Sequence, residues 1–395
     1  MNRKFAVAGI AALVCLVFVD VAVNFVVVRE HWRPVPPFGS LTNERQADWV
    51  DGRIRALSKS SATGEVVGER FGIFDADLGW SLRANATSAD GLTHTNSRGW
   101  RGQREYANVA SPGQLRIVCA GDSFTFCEEV GDRESWPFLL EERLEGTAEV
   151  VNLGVGGYGT DQALLRFGSG YPRAKVDVVF IGLLLENIGR NVNRYRPLWY
   201  PRADSAGAKP RFIEGAETLQ LISLPYDSEL QLLNAIVKGD VLEDLREHEF
   251  WSNDYVPGIA SISGLWRMVA GRLCYREREL PRLWADTEGE PFRVTTRLLG
   301  AFSAFAQSPE GNSARLAPVL IFPTRDDLAR FEATGERYWQ PLIDWLIVEE
   351  MPHIDLTEAL AAAEGGDALW KSSHLSKLGN DVVAGVLAEF LAAQF

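Results

Sequence analysis

The sequence predicts an α/β protein in which a parallel β-sheet carries helices on both faces. Two observations support this fold class. Short apolar runs that suit buried strands recur near residues 116–120, 148–152, 177–185, 316–323 and 353–356. Helical patterns lie between these runs, and strands that alternate with helices form parallel sheets covered on both sides.

The chain begins with an apolar segment that follows Arg3 and Lys4. Phe5–Val28 is interrupted by only two polar residues, one of them Asp20, and at 1.5 Å per residue it can span a hydrocarbon core of ~30 Å. We interpret Asp20 as a structural residue near the membrane interface. Because no small-x-small cleavage site is evident, we expect residues 1–30 to be an uncleaved signal anchor, with a cleaved signal peptide as the alternative.

The basic residues before the span favour a single pass with a cytoplasmic N-terminus and a periplasmic or extracytoplasmic domain. Residues 31–70 are predicted to be a linker, in which the proline-rich stretch 33–39 acts as a stiff spacer. Residues 71–395 then form the main domain.

Two helices of this domain are indicated by amphipathic patterns. Trp136–Leu144 gathers its apolar side chains on one side. The last helix does the same with Val382, Val383, Val386, Leu387, Phe390 and Leu391. Both faces suit packing against a sheet.

A long segment rich in Trp and Tyr, residues 190–310, follows the third strand and is predicted to be a helical insertion. Helical patterns lie near 227–247, 262–275 and 291–307. An insertion after an active-site strand can cover the site as a lid or a substrate-binding cap, and a peripheral helical annex is the alternative.

Composition limits the function classes. The chain has 395 residues, of which 46% are hydrophobic, enough for a sizeable core. A net charge of −13 argues against nucleic acid and against a polybasic membrane patch. The four cysteines are irregularly spaced, which favours buried free thiols over a disulfide framework or a zinc site; a Cys119–Cys127 bridge is the alternative. We expect no metal or cofactor.

Polar residues follow three of the predicted strands. Ser123 comes directly after the first strand and Gly121-Asp122, where open α/β sheets place their chemistry. Asp122 is expected to stabilise the turn. A glycine-rich loop, Gly154–Gly159, follows the second strand, and Asn187 follows the third. A serine at the start of a helix can use free backbone N–H groups to stabilise an oxyanion.

Serine, glycine, asparagine and finally His374, in this order, resemble the four blocks of the SGNH (GDSL-type) hydrolase superfamily. Asp75–Trp80 and Thr95–Gly102 resemble a membrane-anchored bacterial branch of that superfamily. The resemblance covers roughly residues 70–200 and the last thirty residues. It implies the SGNH hydrolase fold, a three-layer α/β/α, flavodoxin-like parallel sheet.

The same resemblance implies roles for individual residues. Ser123 would be the nucleophile and His374 its general base. The oxyanion hole would consist of the backbone N–H groups of Ser123 and Gly157 and the side-chain amide of Asn187.

One position departs from the pattern of the superfamily. An aspartate usually precedes the histidine by three residues, but this chain has Lys371 there. A lysine so close would disfavour the imidazolium that general-base catalysis forms. Asp367, Asp355, Glu186 or a main-chain carbonyl could replace the missing acid, and the sequence does not choose among them.

The resemblance therefore implies a serine esterase that cleaves an acyl ester, and the predicted anchor makes it envelope-facing. By analogy with the superfamily and from this location, acetyl groups on extracytoplasmic glycans are the expected substrate. An O-acyltransferase that moves an acetyl group to a glycan is the first alternative, and it would depend on a membrane acyl-donor protein. The second alternative is a catalytically silent glycan-binding or assembly protein, which Lys371 favours.

Overall fold

The structure, a computed structural model, describes residues 12–23, 44–63, 70–171, 175–200, 206–216, 218–254, 263, 265 and 278–395. The described chain divides into two compact units. The first comprises Met1–Glu65, Asn193–Ala208 and Leu230–Glu279, and the second comprises Val66–Val192, Lys209–Glu229 and Leu280–Phe395.

The strands of the described residues are short, and all of them lie in the second unit. They are β1 (Gly72–Asp75), β2 (Gly79–Leu82), β3 (Leu115–Ala120), β4 (Ala148–Asn152), β5 (Val178–Leu184), β6 (Arg211–Glu214), β7 (Leu219–Ile222), β8 (Val319–Phe322) and β9 (His353–Asp355).

The helices alternate with these strands. They are α1 (Glu44–Thr63), α2 (Ser123–Phe126), α3 (Trp136–Arg143), α4 (Thr160–Gly170), α5 (Asn187–Arg190), α6 (Arg196–Trp199), α7 (Glu229–Lys238), α8 (Val241–Leu245), α9 (Leu280–Ala285), α10 (Glu290–Gln307), α11 (Arg325–Thr334), α12 (Gln340–Val348), α13 (Thr357–Ala362) and α14 (Lys377–Gln394).

Five strands form the central sheet in the order β4-β3-β5-β8-β9. All neighbours are parallel; Val118 of β3, for example, is in register with Val151 of β4 and Val179 of β5. This is the strand order of flavodoxin-like folds. The predicted parallel α/β sheet is therefore confirmed, and its five strands are those that the apolar runs indicated.

Alternate residues of the strands point to opposite faces of the sheet, and helices cover both faces, so β3, β4, β5 and β8 are buried along almost their whole length. On one face, α3 and α14 pack over β3 and β5, and Trp136 meets Phe180 with ring centroids 6.3 Å apart. On the other face, Phe167 of α4 packs against Phe302 of α10 at 5.5 Å. The helices and the sheet thus form three layers.

The region predicted as an insertion contributes to both units. Helix α10 packs on α4 and on β5, so it belongs to the sheet-bearing unit. Helices α6 and α8 lie in the first unit. Most of the helical pattern at 262–275 lies outside the described residues.

The predicted membrane anchor lies largely outside the described residues, of which only 12–23 fall within it; these are helical. None of the helices in the described ranges has the length and apolar character needed to cross a membrane. Asp20 was expected to be a structural residue, and its Oδ1 accepts hydrogen bonds from Ser263 Oγ at 2.7 Å and Leu265 N at 2.8 Å. These contacts lie within the first unit.

Candidate active site

The first element of the site is the turn between β3 and α2. Gly121 must be glycine, because a Cβ there would collide with the Thr125 side chain. Asp122 caps α2, and its Oδ1 accepts a hydrogen bond from Phe124 N at 2.9 Å. Ser123 is therefore the first residue of a short helix at the carboxyl end of β3, and it is only 5% exposed. The turn role predicted for Asp122 agrees with this geometry.

Hydrogen bonds of the Asn152 side chain join the loop after β4 to this turn. The Asn152 side chain donates to Thr125 O and accepts from Gly154 N, both at 2.8 Å. A Cβ at Gly154 would collide with the backbone of Phe126, so the two segments approach closely only because residue 154 is glycine. Gly157 lies in this loop in a left-handed conformation, with φ +76°. The predicted donor loop thus sits at the same edge of the sheet as Ser123.

Asn187 begins α5 directly after β5 and is 1% exposed. Its amide lies close enough to Asp122 to favour the charged form of that carboxyl. Neither the nitrogen nor the oxygen of this amide has a geometric hydrogen-bond partner among the described residues. Because β3 and β5 flank the point where the strand order reverses, Ser123 and Asn187 lie where α/β sheets of this order bind ligands.

A buried cation lies beside these residues. Arg190 is 3.6 Å from Asp122 Oδ2 and 3.0 Å from Glu186 Oε2, and it donates to Tyr158 O at 3.1 Å. Burial raises the pKa of the Asp122 carboxyl, although Arg190 and the Phe124 N–H oppose the shift. Glu186, which the sequence left open as an acid partner, is thus paired with Arg190.

His374 lies in the loop before α14, and its side chain is 13% exposed. Its ring centroid is 5.2 Å from that of Phe124, the residue after Ser123. His374 also favours the charged form of the Asp122 carboxyl. The structure therefore brings Ser123, Asn187 and His374 to one edge of the sheet, but it describes no hydrogen bond between Ser123 and the imidazole.

Two consecutive carboxylates face the two ring nitrogens of His374. Glu128 Oε2 is 3.6 Å from Nε2, and Glu129 Oε1 is 3.5 Å from Nδ1. The Ser373 hydroxyl lies between Glu129 and the imidazole, 3.1 Å from Nδ1 and 3.3 Å from Glu129 Oε1. Glu129 thus supplies the carboxylate that the sequence lacks at position 371.

Glu129 is itself held by the histidine loop, which we define as residues 371–374. Its carboxylate accepts hydrogen bonds from the backbone N and hydroxyl of Ser372, both at 3.0 Å. Burial opposes ionisation of this carboxyl, but the bonds from Ser372 and the proximity of His374 outweigh it and lower its pKa. Lys371, which the sequence placed near the imidazole, instead donates to Glu129 O at 2.6 Å.

The other candidate acids are bound elsewhere. Asp367 is 89% exposed and pairs with Arg325. Asp355 pairs with Arg337 at 3.0 Å and accepts a hydrogen bond from Trp339 Nε1 at 3.1 Å. Neither carboxylate contacts His374 among the described residues. The structure therefore contradicts Asp367 and Asp355 as acid partners and places Glu129 beside the imidazole instead. The sequence signal that could have suggested Glu129 is its position just after the nucleophile helix.

Arg101 fixes the segment that carries the two glutamates. Its guanidinium is almost fully buried and donates to the carbonyl oxygens of Phe126, Cys127 and Val130; the last two bonds are 2.7 Å long. Burial lowers the pKa of Arg101, and nearby anions such as Asp132 oppose the shift. Three backbone carbonyls on either side of Glu128 and Glu129 are thereby held by one side chain.

The two cysteines near Ser123 are buried free thiols. Burial raises the pKa of Cys127 to about 12 and that of Cys119 well above its ordinary value. Both groups are therefore protonated and unreactive near neutral pH. Cys274 lies outside the described residues, and the described ranges contain no cluster of side chains that could hold a metal ion.

No family model and no curated protein sequence matches this chain. Among solved structures, it is similar to a G-D-S-L family protein from Desulfitobacterium hafniense, with 14% identity over 70% of this chain and 99% of the other, and a TM-score of 0.34. LAE5, an alpha/beta hydrolase from a Lake Arreo metagenome, is 12% identical over 69% and 94% of the two chains, with a TM-score of 0.36.

A third similar structure is Est24, a carbohydrate acetylesterase from Sinorhizobium meliloti. It is 12% identical over 71% of this chain and 100% of its own, with a TM-score of 0.31. At such low identities and TM-scores, these similarities carry no argument about the activity of this chain.

Proposed function

We propose that this chain is a serine esterase that cleaves acyl esters through an acyl-enzyme intermediate. The observation that carries this proposal is the Asn187 amide, which is buried beside the Ser123 turn without a geometric hydrogen-bond partner among the described residues. A buried polar group without a partner costs stability, and such groups recur where a ligand completes the bond. An oxyanion formed at Ser123 is the ligand that this position suits.

Acylation begins when Ser123 Oγ attacks the ester carbonyl carbon and its proton passes to His374 Nε2. The carbonyl electron pair moves onto the oxygen, which the N–H groups of Ser123 and Gly157 and the Asn187 amide stabilise. When the intermediate collapses, the bond to the leaving alkoxide breaks, and that oxygen takes the proton from Nε2. Catalytic hydrogen bonds are often long or poorly aligned in free enzymes and tighten when substrate binds, so the absence of a described Ser123–Nε2 hydrogen bond is compatible with this step.

Glu129 acts as a positioning residue in this mechanism. Its carboxylate reaches Nδ1 through the Ser373 hydroxyl, which can accept from Nδ1–H and donate to Glu129. This arrangement selects the tautomer that leaves Nε2 free to accept the serine proton, and it stabilises the imidazolium. The missing aspartate at position 371 was the reason to consider a silent binding protein, and the carboxylate of Glu129 beside Nδ1 supports the esterase instead.

We further propose acetyl esters on extracytoplasmic glycans as the substrate class, with residues 1–30 as a membrane anchor and the catalytic domain in the periplasm. The apolar run after Arg3 and Lys4 supports the anchor. The resemblance of the four sequence blocks supports the ester class. Separation of membrane and soluble fractions, with and without residues 1–30, tests the anchor; an unchanged membrane fraction in the truncated chain would contradict it.

The activity is tested with purified protein and p-nitrophenyl acetate. We expect wild type to release nitrophenol and both Ser123→Ala and His374→Ala to lose at least ~100-fold in kcat/KM. Asp367→Asn is the control, because that carboxylate is exposed and remote from His374. Equal rates in wild type and in Ser123→Ala would refute the proposal.

A further inference from the structure

Glu128 lies at the mouth of the candidate site and has no role in the steps described above. Its backbone N donates to Ser123 O at 3.1 Å, so it is attached to the nucleophile helix. Its side chain is 42% exposed, and Oε2 is 3.6 Å from His374 Nε2. Nε2 is the nitrogen that must exchange protons with both Ser123 and the incoming acceptor.

The opposite side of this carboxylate faces the oxyanion loop. A Cβ on Gly156 would collide with Glu128 Oε1, so the carboxylate lies directly over the residue before Gly157. Gly156 does not have a positive φ, so its backbone would accept a side chain. Glycine at this position leaves the space that the carboxylate occupies between the oxyanion loop and Nε2.

This position is where the acceptor of the second half-reaction must enter. A hydroxyl oxygen attacks the acyl carbon on Ser123, its proton passes to Nε2, and the oxyanion then collapses. The acyl carbon–Oγ bond breaks, and Oγ takes the proton back from Nε2, so Glu128 is not itself protonated. An ionised carboxylate can only accept hydrogen bonds, so a second O–H on the acceptor would complement it.

We infer that Glu128 binds this second O–H and thereby selects the acceptor of deacylation; the inference rests on the proposed function. Water has two O–H bonds, one for Nε2 and one for Glu128. A simple alcohol has only one, whereas a vicinal diol again has two. The site therefore favours water and vicinal diols, the hydroxyl pattern of carbohydrates, over monohydroxylic alcohols of the same size.

The test measures how the acetyl-enzyme partitions between acceptors. Purified protein turns over p-nitrophenyl acetate with ethylene glycol and 2-methoxyethanol present at equal concentration, and the two acetate esters are quantified by gas chromatography. Their ratio, halved because ethylene glycol offers two equivalent hydroxyls, does not depend on the acylation rate or on the fraction of active protein. We expect wild type to favour the glycol ester about tenfold, the effect of one hydrogen bond to a charged group.

Glu128→Ala should reduce that preference to near unity, and Glu128→Gln should retain part of it, because the amide oxygen still accepts. Gly156→Ala, which displaces the carboxylate while leaving Glu128 in place, should also reduce it. Glu332→Ala, an exposed acid on α11, is the matched control and should keep the wild-type ratio.

Two results would overturn the inference alone: turnover by wild type without preference for the glycol, or a preference that survives in Glu128→Ala. In the second case, a faster hydrolysis by Glu128→Ala would show that Glu128 only restrains His374. If wild type releases no more nitrophenol than Ser123→Ala, the proposed function fails and this inference falls with it.

Discussion

The nucleophile side of the site is held by the sheet, whereas the histidine side is held by one carboxylate. Ser123, Asn187 and the glycine loop follow buried parallel strands; Ser123 and Asn187 are almost fully buried, and Gly157 of the loop is partly buried. The histidine loop is mostly exposed, and hydrogen bonds to Glu129 hold it. The comparison shows that one side is preorganised by the core, while the other depends on a few polar contacts that single substitutions can remove.

The largest expected effect is on kcat/KM, and it should distinguish two buried asparagines on the sheet side, Asn187 and Asn152. Asn187→Ala should lower kcat/KM by about 100- to 1000-fold, because it removes an oxyanion donor. Its unfolding free energy should fall less than that of Asn152→Ala, since the amide has no geometric partner among the described residues and loses only its electrostatic contact with Asp122. Asn152→Ala should lower the unfolding free energy by about 1–3 kcal/mol, because it removes the acceptor for Gly154 N and leaves Thr125 O with only the weak Cys127 thiol donor.

Urea unfolding and p-nitrophenyl acetate kinetics measure both variants. A loss of stability in Asn187→Ala as large as that in Asn152→Ala would show that Asn187 is a structural residue, and the contrast between the two asparagines would disappear.

A smaller effect is expected on the histidine side. Glu129→Gln should lower kcat by about 10- to 100-fold with little change in KM, because it weakens the support of Nδ1 without touching substrate. The loss should be smaller than when a buried, directly bonded aspartate is removed from a catalytic triad, since Glu129 is partly exposed and reaches His374 through Ser373. Partial recovery in Glu129→Asp would support this role, whereas an increase in KM alone would contradict it.

The same carboxylate predicts a pH dependence of stability. Because the pKa of Glu129 is lowered from its ordinary value of 4.5, its ionised form stabilises the folded protein above that value. The stabilisation should be lost as the pH falls below 4.5 through the lowered pKa. Urea unfolding of wild type and Glu129→Gln at neutral and acidic pH should give a difference that narrows on acidification; a constant difference would rule out the ionised contact.

The smallest expected effect is on kcat, and it should differ between the two serines of the histidine loop. Ser373→Ala should lower kcat by about 3- to 10-fold, the value of one ordinary hydrogen bond, because Ser373 joins Glu129 to Nδ1. Ser372→Ala should change kcat less, because Ser372 bonds Glu129 but not His374. Steady-state kinetics of the two variants measure this difference. Equal losses of kcat would mean that Ser373 does not specifically connect Glu129 to Nδ1.

The sequence was sufficient for the sheet side because strand patterns are local. Apolar runs located β3 and β5, and parallel strands bring their carboxyl ends to one edge, so Ser123 and Asn187 were expected at that edge. The resemblance implied the strand order that makes β3 and β5 neighbours. Strand β8 is shorter than the apolar run 316–323 that predicted it, because Pro318 and Pro323 have no backbone N–H to donate to a neighbouring strand. It is therefore confined to Val319–Phe322.

The acid partner could not be read from the sequence because its contact is not local. Glu129 meets residues more than two hundred positions away, and it does so in a left-handed backbone conformation with φ +71° that a non-glycine residue seldom adopts. No periodic pattern signals such a contact. The resemblance directed attention to the positions before His374, whereas the carboxylate comes from the segment after Ser123.

The contacts of Arg101 set a minimum length for an engineered catalytic fragment. A fragment that began just before β3 would retain Ser123, Asn187 and His374, yet it would lack the guanidinium that binds the carbonyls of Phe126, Cys127 and Val130. Three buried acceptors would then lose their donor. A functional fragment must therefore include Arg101. This holds although no residue between Arg101 and the start of β3 has a role in the chemistry proposed here.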